Sequence, residues 1–524
     1  MRGRVVRPRV LGNGLAFAGI EDATGLCQLV TEEANIIPSS LKHGSVVCVE
    51  GVVRARPAAM RNVALGTGEI EVDVSSLRTI NASATLPFQP DVDQPSEETR
   101  LRYRYLDLRS QRMQQNLHLR ATMLHAARNF MHASSFLEVE TPTLFKSTPE
   151  SGAREFLVPT RKAGTAYALP QSPQQYKQML MVSGIERYFQ VAKCFRDEGS
   201  RSDRQPEFTQ LDLEMAWASR EGVMETTEQL LQAMWKAANL PGFPTDGIPI
   251  LTYADAMRQW GSDKPDGRSA HLAVFAPENE NENAEETVSF KVETEWMSNT
   301  FASKSKFKGW WKDAVVSQGI AEVKFSPDHL TFTTKKGNEA ALGKVRSLLL
   351  NAMRQSNALS DLVDWEKPAF YWIVDFPWVE RNPDASSLAA VHHPFTHPHP
   401  EDEALWWTKP DDCRSLAYDI VLNGFEIGGG SLRMHNAAMQ QRVLEMLEIN
   451  PAIFGHLLEA LRSGAPPHGG LALGIDRLVA IAAGADSIRD VIAFPKTANG
   501  AELMTESPCM IPNEVWKEYG LKNE

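Results

Sequence analysis

The first 80 residues carry short runs in which apolar and polar positions alternate, the spacing that places side chains on opposite faces of a β-strand. Glycine, aspartate and proline residues separate these runs, which cover residues 14–20, 25–30, 45–53 and 69–74. Several short strands divided by turn residues are typical of a small β-barrel. We therefore predict a barrel in residues 1–85.

A polar connector with several prolines follows at residues 86–115. Within and beyond it, apolar residues recur at helical spacing between about Glu97 and Ser134, at Leu117, Met123, Leu124, Ala127 and Phe130. An apolar stripe of this spacing predicts a long amphipathic helix that leads into a larger domain.

Two alternating apolar runs, Tyr188–Phe195 and Phe208–Met215, predict a pair of strands. The segment between them is strongly charged and contains Arg196-Asp197-Glu198 and Arg204-Gln205-Pro206-Glu207. The pattern therefore predicts a hairpin whose connection is rich in charged groups.

Strand-like and helix-like segments alternate over residues 136–240 and again over residues 370–483. The intervening residues 262–365 differ in composition, because an acidic run at 278–286 gives way to several lysines. Closely spaced like charges repel, so we expect the acidic run to lie in an exposed mobile loop. We predict one domain in two parts, residues 116–261 and 366–524, interrupted by an inserted domain at 262–365.

The composition of the chain narrows the class of protein to which it can belong. A hydrophobic content of 43% and a charged content of 23% are ordinary for a globular chain. Five scattered cysteines form no CxxC pair, which disfavours a zinc ribbon or a disulfide framework and suits a reducing compartment. No apolar run approaches the ~20 residues that span a bilayer, so we expect no membrane association.

The net charge of −12 argues against nucleic acid as a partner, because phosphate binding requires local positive potential. Residues 1–61, however, hold eight Lys or Arg against five Asp or Glu. A basic face for nucleic acid and a merely solvated tail are equally compatible with this excess.

Candidate groups for nucleotide chemistry lie on both sides of the insertion. Transfer at phosphorus needs positive groups and a bridging cation. Arg196 is a candidate for the α-phosphate and Arg477 for the distal phosphates, while Asp419 and Glu426 could hold Mg²⁺ through oxygen ligands. Phe208 offers a ring on which adenine could stack. Taken singly, an Arg-Asp-Glu run is more often a surface ion pair, and a Gly-x-Asp-Arg run is usually a turn that enters a helix. Gly428-Gly429-Gly430 could likewise be a simple bulge.

The combination resembles the class II aminoacyl-tRNA synthetases, in particular the aspartate-specific members of the bacterial and mitochondrial type. The resemblance covers nearly all of the chain outside residues 270–360. It rests on three signature motifs and four further segments, which stand at Phe136–Pro142, Phe195–Met215, Gly470–Leu478, Arg102–Arg109, Gln171–Lys177, His392–Thr396 and Glu426–Arg433. The family implies an α+β fold: an antiparallel-sheet catalytic domain with an N-terminal OB-fold barrel and an inserted α+β domain.

The resemblance also implies roles by position. Groups around the aspartate substrate would be Glu150, Gln174, Lys177, Arg196, Asp212, His392 and Arg433. Glu150, Gln174 and Asp212 would surround the ammonium, while Lys177 and Arg433 grip the side-chain carboxylate. Groups around ATP would be Arg196, Asp197, Glu198, Gln205, Phe208, Glu426, Gly474, Ile475, Asp476 and Arg477. Arg196, Arg477 and Glu426 would be catalytic, and Asp419 and Glu426 would hold Mg²⁺. His393 lies beside His392 in a loop that would close over aspartate, although histidines serving only as packing or solvated turns remain an alternative.

For the N-terminal barrel, the family implies anticodon recognition of tRNA(Asp) through Arg7, Arg9, Phe17, Gln28 and Glu71. Phe17 could stack on an unpaired base or, equally, fill the barrel core. The chain begins where the family's first barrel strand is already under way, so we expect a truncated start, with either an open barrel edge or an incomplete sequence. The segment 148–153 is one residue longer before its glycine than the usual pattern, which affects the placement of Glu150.

The family's reaction joins L-aspartate to ATP, giving aspartyl-adenylate and pyrophosphate, and then moves the aspartyl group to the 3′ end of tRNA. Two alternatives stay open: a catalytically silent tRNA-binding paralogue, and an amino-acid-activating ligase that uses no tRNA. The first motif implies a homodimer. Segments 143–146 and 398–400 favour the mitochondrial matrix, with the bacterial cytoplasm as the alternative, although no amphipathic presequence rich in arginine and serine precedes them.

Overall fold

The computed structural model describes residues 1–521 except 12–13, 34, 149–152, 200–202, 270–273, 278–286, 294–321, 326–328, 336–338, 356–363 and 383–386. The chain divides into two compact units, Met1–Ser110 and Gln111–Glu524. The finer boundaries at residues 85, 115, 261 and 365 stay predictions. The acidic run at 278–286 lies outside the described residues.

The first unit contains a closed five-stranded barrel, as the alternating pattern predicts. Its strands are β1 (Arg2–Val10), β2 (Ala16–Asp22), β3 (Gly25–Thr31), β4 (Val46–Ala55) and β5 (Ile70–Asn81), in the order β1-β2-β3-β5-β4. β1 pairs with both β2 and β4, so the barrel has no open edge and that expectation is wrong. Alanines and branched aliphatic residues fill the interior, among them Val5, Ala16, Ala18, Ile20, Leu29, Val47 and Val72.

The helix predicted from Glu97 is broken into α1 (Glu97–Arg102), α2 (Arg104–Asp107) and α3 (Gln111–Ala133). Tyr103 leaves the helical region at φ −109° and ψ 45°. The Asp107 carboxylate accepts from Arg100 at 2.9 Å and also pairs with Arg104. These local ion pairs favour a folded-back chain over one continuous helix. Residues 97–110 belong to the first unit and α3 to the second.

The second unit is built on an eight-stranded sheet. Its strands, in spatial order, are β11 (Ile250–Thr252), β16 (Phe370–Val374), β19 (Ala417–Leu422), β20 (Phe425–Leu432), β21 (His468–Gly474), β10 (Glu207–Ala216), β9 (Arg187–Phe195) and β6 (Leu137–Glu138). All neighbours are antiparallel except the outermost pair at each edge. The hairpin predicted at 188–195 and 208–215 is β9 and β10.

Helices pack on one face of this sheet. Alternate residues of the central strands, such as Leu211, Leu213, Leu471 and Leu473, form a core with residues of α3 and of α5 (Arg220–Ala237). The remaining helices are α4 (Gln174–Val182), α6 (Tyr253–Trp260), α7 (Glu339–Gln355), α8 (Ala437–Met446), α9 (Gly455–Arg462), α10 (Ile475–Ala482) and α11 (Asn513–Glu518).

The inserted segment contributes a second, smaller sheet. Its strands are β12 (Val274–Pro277), β13 (Thr287–Glu293), β14 (Glu322–Phe325) and β15 (His329–Lys335), in the antiparallel order β12-β13-β15-β14. Helix α7 follows it. Two short hairpins, β7 (Leu157–Pro159) with β8 (Ala166–Ala168) and β17 (Val379–Arg381) with β18 (Leu388–Ala390), complete the strands. The fold is α+β with a mainly antiparallel sheet, as predicted.

Short 3₁₀ turns connect several elements, at Ala58–Met60, Gly267–Ser269, Pro400–Asp402, Pro410–Asp412, Pro451–Phe454 and Ile488–Asp490. Within the residues that the structure describes, no helix combines the length and the apolar character needed to cross a membrane.

Candidate active site

A cleft of about 1040 Å³ lies over the face of the large sheet that α3 and α5 leave uncovered. The strand period of two explains its polar lining, because successive side chains point to opposite faces. On β10, Leu211 and Leu213 enter the core, whereas Asp212 and Glu214 are buried on the other face. Asp419 of β19 lines the same cleft.

Two buried cations and two buried carboxylates form a compact group at the floor of the cleft. The Lys177 ammonium lies 3.1 Å from Asp212 Oδ1 and 3.4 Å from Glu214 Oε2. Arg433 Nε donates to Glu214 Oε1 at 3.0 Å, and its Nη2 donates to Glu214 Oε2 at 3.3 Å. All four side chains are at most 2% exposed. Buried charges require such pairing, because each unpaired ion would lose hydration at a cost on the order of several kcal/mol.

The pKa values of the two carboxyl groups shift in opposite directions. Burial raises the pKa of Asp212 above its usual range, although Lys177 opposes the shift. Burial also acts on Glu214, but Arg433 and then Lys177 outweigh it and lower the pKa of Glu214. Glu214 is therefore the firmly ionised member, and it anchors both cations. Sequence reasoning missed this residue, although its place two positions after Asp212 puts it on the same face of β10.

Some polar atoms at the floor of the cleft are not engaged by protein groups. Among the described residues, Asp212 Oδ2 and Gln174 Nε2 are buried without a hydrogen-bond partner, and both residues line the cleft. A carboxylate oxygen and an amide donor in this position could bind the ammonium and carboxylate of an amino acid. Glu150, the third residue predicted near the ammonium, lies outside the described residues.

The histidine-rich segment lies at one wall of the cleft. His392 Nε2 is 3.1 Å from Asp419 Oδ1. Burial lowers the pKa of His392, but the Asp419 carboxylate outweighs it and holds the pKa above its usual value. His393 contacts the guanidinium of Arg433, and burial followed by that positive charge lowers the pKa of His393. The two neighbours therefore have opposite charge preferences.

Four of the predicted nucleotide residues of the hairpin line the cleft, namely Arg196, Glu198, Gln205 and Phe208. The guanidinium of Arg196 lies 5.2 Å from the centre of the Phe208 ring, and its Nε has no partner among the described residues. Gln205 is fixed by Lys496, whose backbone N–H donates to it at 2.7 Å. Glu198 accepts from Arg204 at 3.0 Å. An arginine stacked on an aromatic ring leaves its donors free for an anionic ligand.

The motif Gly474–Arg477 at the start of α10 directs some side chains into the cleft and one into the apolar core. Arg477 lines the cleft, where Nη1 donates to the Glu426 backbone carbonyl at 2.5 Å and Nη2 to Asp203 at 3.1 Å. Ile475 is fully buried in the apolar core. Asp476 lines the cleft, but its carboxylate is held by the Thr209 N–H at 2.8 Å and by Arg120 at 2.5 Å. Gly474 is the N-cap of α10 and also lines the cleft.

The two predicted magnesium ligands face one glycine. A Cβ atom built on Gly429 would lie 2.5 Å from Asp419 Oδ1 and 3.7 Å from Glu426 Oε1. The lack of a side chain at Gly429 therefore lets both carboxylates approach the same point on the strand, and carboxylates are ligands that Mg²⁺ prefers. Partial burial, followed by the charge of Asp419, raises the pKa of Glu426. The donor chemistry fits a divalent cation, although no cluster of three or more ligating side chains occurs among the described residues.

Asp197, predicted near ATP, lies elsewhere. Its backbone N–H donates to the Arg154 carbonyl at 2.9 Å, and it lines a neighbouring cavity together with Lys496. The cleft thus contains every predicted aspartate, nucleotide and metal residue that the structure describes except Asp197 and Ile475.

On the barrel, Phe17 lies on the outer face. The alternation along β2 places Ala16, Ala18 and Ile20 in the interior and leaves Phe17 partly exposed. Phe17 therefore does not fill the barrel core, which is the alternative prediction for this residue. Arg9 is the cross-strand partner of Phe17 in the β1–β2 pair, so a cation and a ring lie side by side on this surface.

Two further predicted barrel residues are in direct contact. Gln28 and Glu71 are paired in the β3–β5 register, and Gln28 Nε2 donates to Glu71 Oε2 at 2.9 Å. Arg54, which sequence reasoning missed, donates to Glu71 at 2.9 Å and lies 3.1 Å from Asp73. Arg7 adopts a positive φ of 45°.

Comparison with family models gives two matches. Residues 96–498 match the family described as tRNA synthetases class II (D, K and N). Residues 1–80 match the OB-fold nucleic acid binding domain.

Individual relatives cover nearly the whole chain. It is 42% identical to a protein of Corynebacterium aurimucosum named "Aspartate--tRNA(Asp/Asn) ligase", over 99% of this chain and 93% of that protein. It is 41% identical to a Dictyostelium discoideum protein named "Aspartate--tRNA ligase, mitochondrial", over 93% of this chain and 79% of that protein.

Solved structures share the fold. Asparaginyl-tRNA synthetase from Pyrococcus horikoshii, complexed with asparaginyl-adenylate, superposes with a TM-score of 0.62 at 21% identity, covering 95% of this chain and 94% of that one. Aspartyl-tRNA synthetase from Entamoeba histolytica gives a TM-score of 0.60 at 19% identity, covering 94% and 87%.

Proposed function

This chain belongs to the class II tRNA synthetases of the aspartate, lysine and asparagine group, and from that premise we propose that it joins L-aspartate to tRNA(Asp) at the expense of ATP. The observation that carries the substrate assignment is the pair of buried cations, Lys177 and Arg433, in a cleft whose neighbouring polar atoms are free. Relatives about 40% identical over nearly the whole chain carry names that state the ligation of aspartate to tRNA, two of them to tRNA(Asp/Asn).

Charge and hydrogen bonding favour aspartate over asparagine. Lys177 and Arg433 are donors only, so the groups that bind the substrate side chain require acceptors. A carboxylate supplies two acceptor oxygens and a charge, whereas an amide presents N–H donors to one of the cations. Asp212 and Gln174 are placed to hold the substrate's ammonium and carboxylate groups.

The first chemical step is attack of the aspartate α-carboxylate on the α-phosphorus of ATP. The bond between that phosphorus and the bridging oxygen breaks, and pyrophosphate leaves. Arg196 stabilises the charge at the α-phosphate, Phe208 stacks on adenine, and Arg477 holds the distal phosphates. Such catalysis is positioning plus charge stabilisation, with no protein nucleophile. Asp419 and Glu426 are the groups that would hold Mg²⁺, whose chemistry is neutralisation of phosphate charge.

In the second step the terminal ribose hydroxyl of tRNA attacks the aspartyl carbonyl, and AMP leaves. The barrel supplies anticodon recognition, because Phe17 offers an exposed ring beside Arg9 for stacking on an unpaired base. Arg7, Gln28 and Glu71 are proposed to contact the bases or the backbone nearby.

We further propose a homodimer that acts in the mitochondrial matrix, with the bacterial cytoplasm as the alternative. Support for the dimer is the edge strand β6, where Leu137 is 53% exposed, together with the exposed apolar residues Leu144 and Leu157. Support for the compartment is the mitochondrial relative of Dictyostelium discoideum. Sedimentation of the purified chain and immunolocalisation in its source organism test these two statements.

The decisive test of activity is ATP–pyrophosphate exchange with aspartate and, separately, with asparagine, followed by charging of purified tRNA(Asp) and tRNA(Asn). We expect exchange with aspartate alone and charging of tRNA(Asp). Absence of exchange would indicate a silent tRNA-binding paralogue. Exchange without any charging would indicate a ligase that uses no tRNA.

A further inference from the structure

A lysine outside the family motifs quoted above lies at the predicted cation site. Lys264 Nζ is 3.6 Å from Glu426 Oε2 and 2.5 Å from Asp263 Oδ2, and its side chain is 36% exposed. The ammonium therefore lies against one of the two carboxylates that would bind Mg²⁺, and the second, Asp419, faces the same glycine as Glu426.

The backbone of this segment is fixed by the hairpin that carries those carboxylates. Gly424, in the turn between β19 and β20, has a φ of +82°, and a Cβ there would lie 3.7 Å from the Lys264 carbonyl oxygen and 3.3 Å from Asp266 Cβ. The Lys264 N–H donates to Ser262 Oγ at 3.0 Å. The main chain at Lys264 thus lies next to the turn of the hairpin that carries Glu426.

The same segment is joined to the inserted domain. Helix α6 ends at Gly261 in the left-handed conformation, at a φ of +61°. Gly343 of α7 packs so closely on it that a Cβ at Gly343 would lie 2.0 Å from the Gly261 carbonyl oxygen. The guanidinium of Arg346 stacks 4.3 Å over the Trp260 ring. These contacts join helix α7 to the end of α6, just before Lys264, and Lys264 and Gly343 both line the nucleotide cleft.

We propose that Lys264 is the internal counter-ion of the Asp419–Glu426 pair when no divalent cation is bound, and that it competes with that cation for the pair. Two carboxylates beside one glycine repel each other unless a positive charge lies near. Lys264 supplies that charge beside Glu426 in the free protein, and His392 lies 3.1 Å from Asp419. A divalent cation bound to the pair replaces Lys264. The inference deepens the proposed function, since this cation would serve the nucleotide, and it makes Lys264 a positioning residue.

The test measures Mn²⁺ binding by electron paramagnetic resonance on the full chain, without aspartate, ATP or tRNA. We expect Lys264→Met to tighten Mn²⁺ binding by about fivefold, the effect of removing a competing ion pair worth about 1 kcal/mol. Glu426→Gln should abolish the same binding and so assigns it to this site. The matched control is Lys344→Met, because Lys344 is exposed on α7 at the rim of the same cleft.

Thermal unfolding is the second measurement, and it separates the loss of the positive charge from general misfolding of the variant. In EDTA, Lys264→Met should unfold at a lower temperature than Lys344→Met, whereas Lys264→Arg, which keeps the charge, should not. Unchanged or weaker Mn²⁺ binding in Lys264→Met, or equal unfolding temperatures of the two Met variants, would overturn the proposal. Pyrophosphate exchange by the unmutated chain reports the proposed function separately, since the Mn²⁺ measurement involves no reaction.

Discussion

The guanidinium of Arg433 donates to both carboxylate oxygens of Glu214, at 3.0 Å from Nε and 3.3 Å from Nη2. The contact is two-pronged and fully buried, so it fixes the plane of the guanidinium. Nη1 donates to Ser431 Oγ at 2.7 Å, and Arg433 itself lines the cleft. The substrate carboxylate would therefore meet a cation whose orientation is set before binding.

Arg433→Lys should reduce kcat/KM for aspartate in pyrophosphate exchange by about thirtyfold or more. Lysine keeps the charge but cannot make the fork-shaped contact with Glu214, and disrupting a buried charge pair costs about 2 kcal/mol or more. Arg442→Lys is the matched control, because the Arg442 guanidinium stacks 3.8 Å over Trp407 away from the cleft. Equal losses in the two variants would contradict the assignment of Arg433.

The alternation of apolar and polar residues predicts much of this arrangement. It gives the β9–β10 hairpin to within a residue, and the same period places Glu214 beside Asp212. The interruption between α1 and α2 is harder to predict, since Asp107 must pair with two arginines before the chain turns. The contact between Lys264 and Glu426 depends on a tertiary packing of Gly424 that no local pattern encodes.

Resemblance to family motifs likewise predicts which positions of the sequence belong to the site, but not where each side chain points. The sequence Gly474-Ile475-Asp476-Arg477 enters a helix, and helical geometry sends consecutive side chains in different directions. Ile475 therefore reaches the apolar core, whereas Arg477 faces the cleft. The carboxylate of Asp476 is held by Arg120, which belongs to α3 and is distant in sequence.

His393 should make the protein less stable below pH 6.5. Its pKa is lowered in the folded state by burial and by Arg433. Above pH 6.5 the imidazole is neutral in both states, so its contribution is constant. Below pH 6.5 the unfolded chain binds a proton that the folded chain does not, and the free energy of unfolding falls by up to about 1.4 kcal/mol per pH unit.

Urea unfolding between pH 7.5 and 5.5 measures this effect. His393→Asn should give a shallower dependence of the free energy of unfolding on pH, with one proton fewer taken up. His118→Asn, at an exposed site on α3, is the control and should leave the slope unchanged. Identical slopes in the original protein and in His393→Asn would show that His393 does not titrate in this way.

Phe17→Ala should leave aspartate-dependent pyrophosphate exchange intact and lower kcat/KM for charging tRNA(Asp) by about tenfold. One base stacked on an aromatic ring contributes about 1–3 kcal/mol, and Phe17 lies outside the barrel core. Val63→Ala, at a fully exposed position of the same unit, should change neither activity. Loss of exchange together with charging would indicate general damage rather than lost stacking.

Gly429→Ala should impair aspartate-dependent exchange while the barrel remains folded. The added Cβ would lie 2.5 Å from Asp419 Oδ1, closer than any real Cβ contact, so the carboxylate must move or the strand must shift. Overpacking of this kind costs about 1–3 kcal/mol. The displaced carboxylate should also raise the Mg²⁺ concentration needed for half-maximal exchange, which a titration at saturating aspartate and ATP measures.

Gly455→Ala is the matched control for this change, because no atom lies within 4 Å of a Cβ at that helical position. It should leave the Mg²⁺ dependence unchanged and should not reduce stability, since alanine favours helix over glycine. A normal Mg²⁺ titration for Gly429→Ala would mean that the space beside Gly429 does not serve the cation. In that case Asp419 and Glu426 would be held apart for another reason, with Lys264 beside Glu426 and His392 beside Asp419.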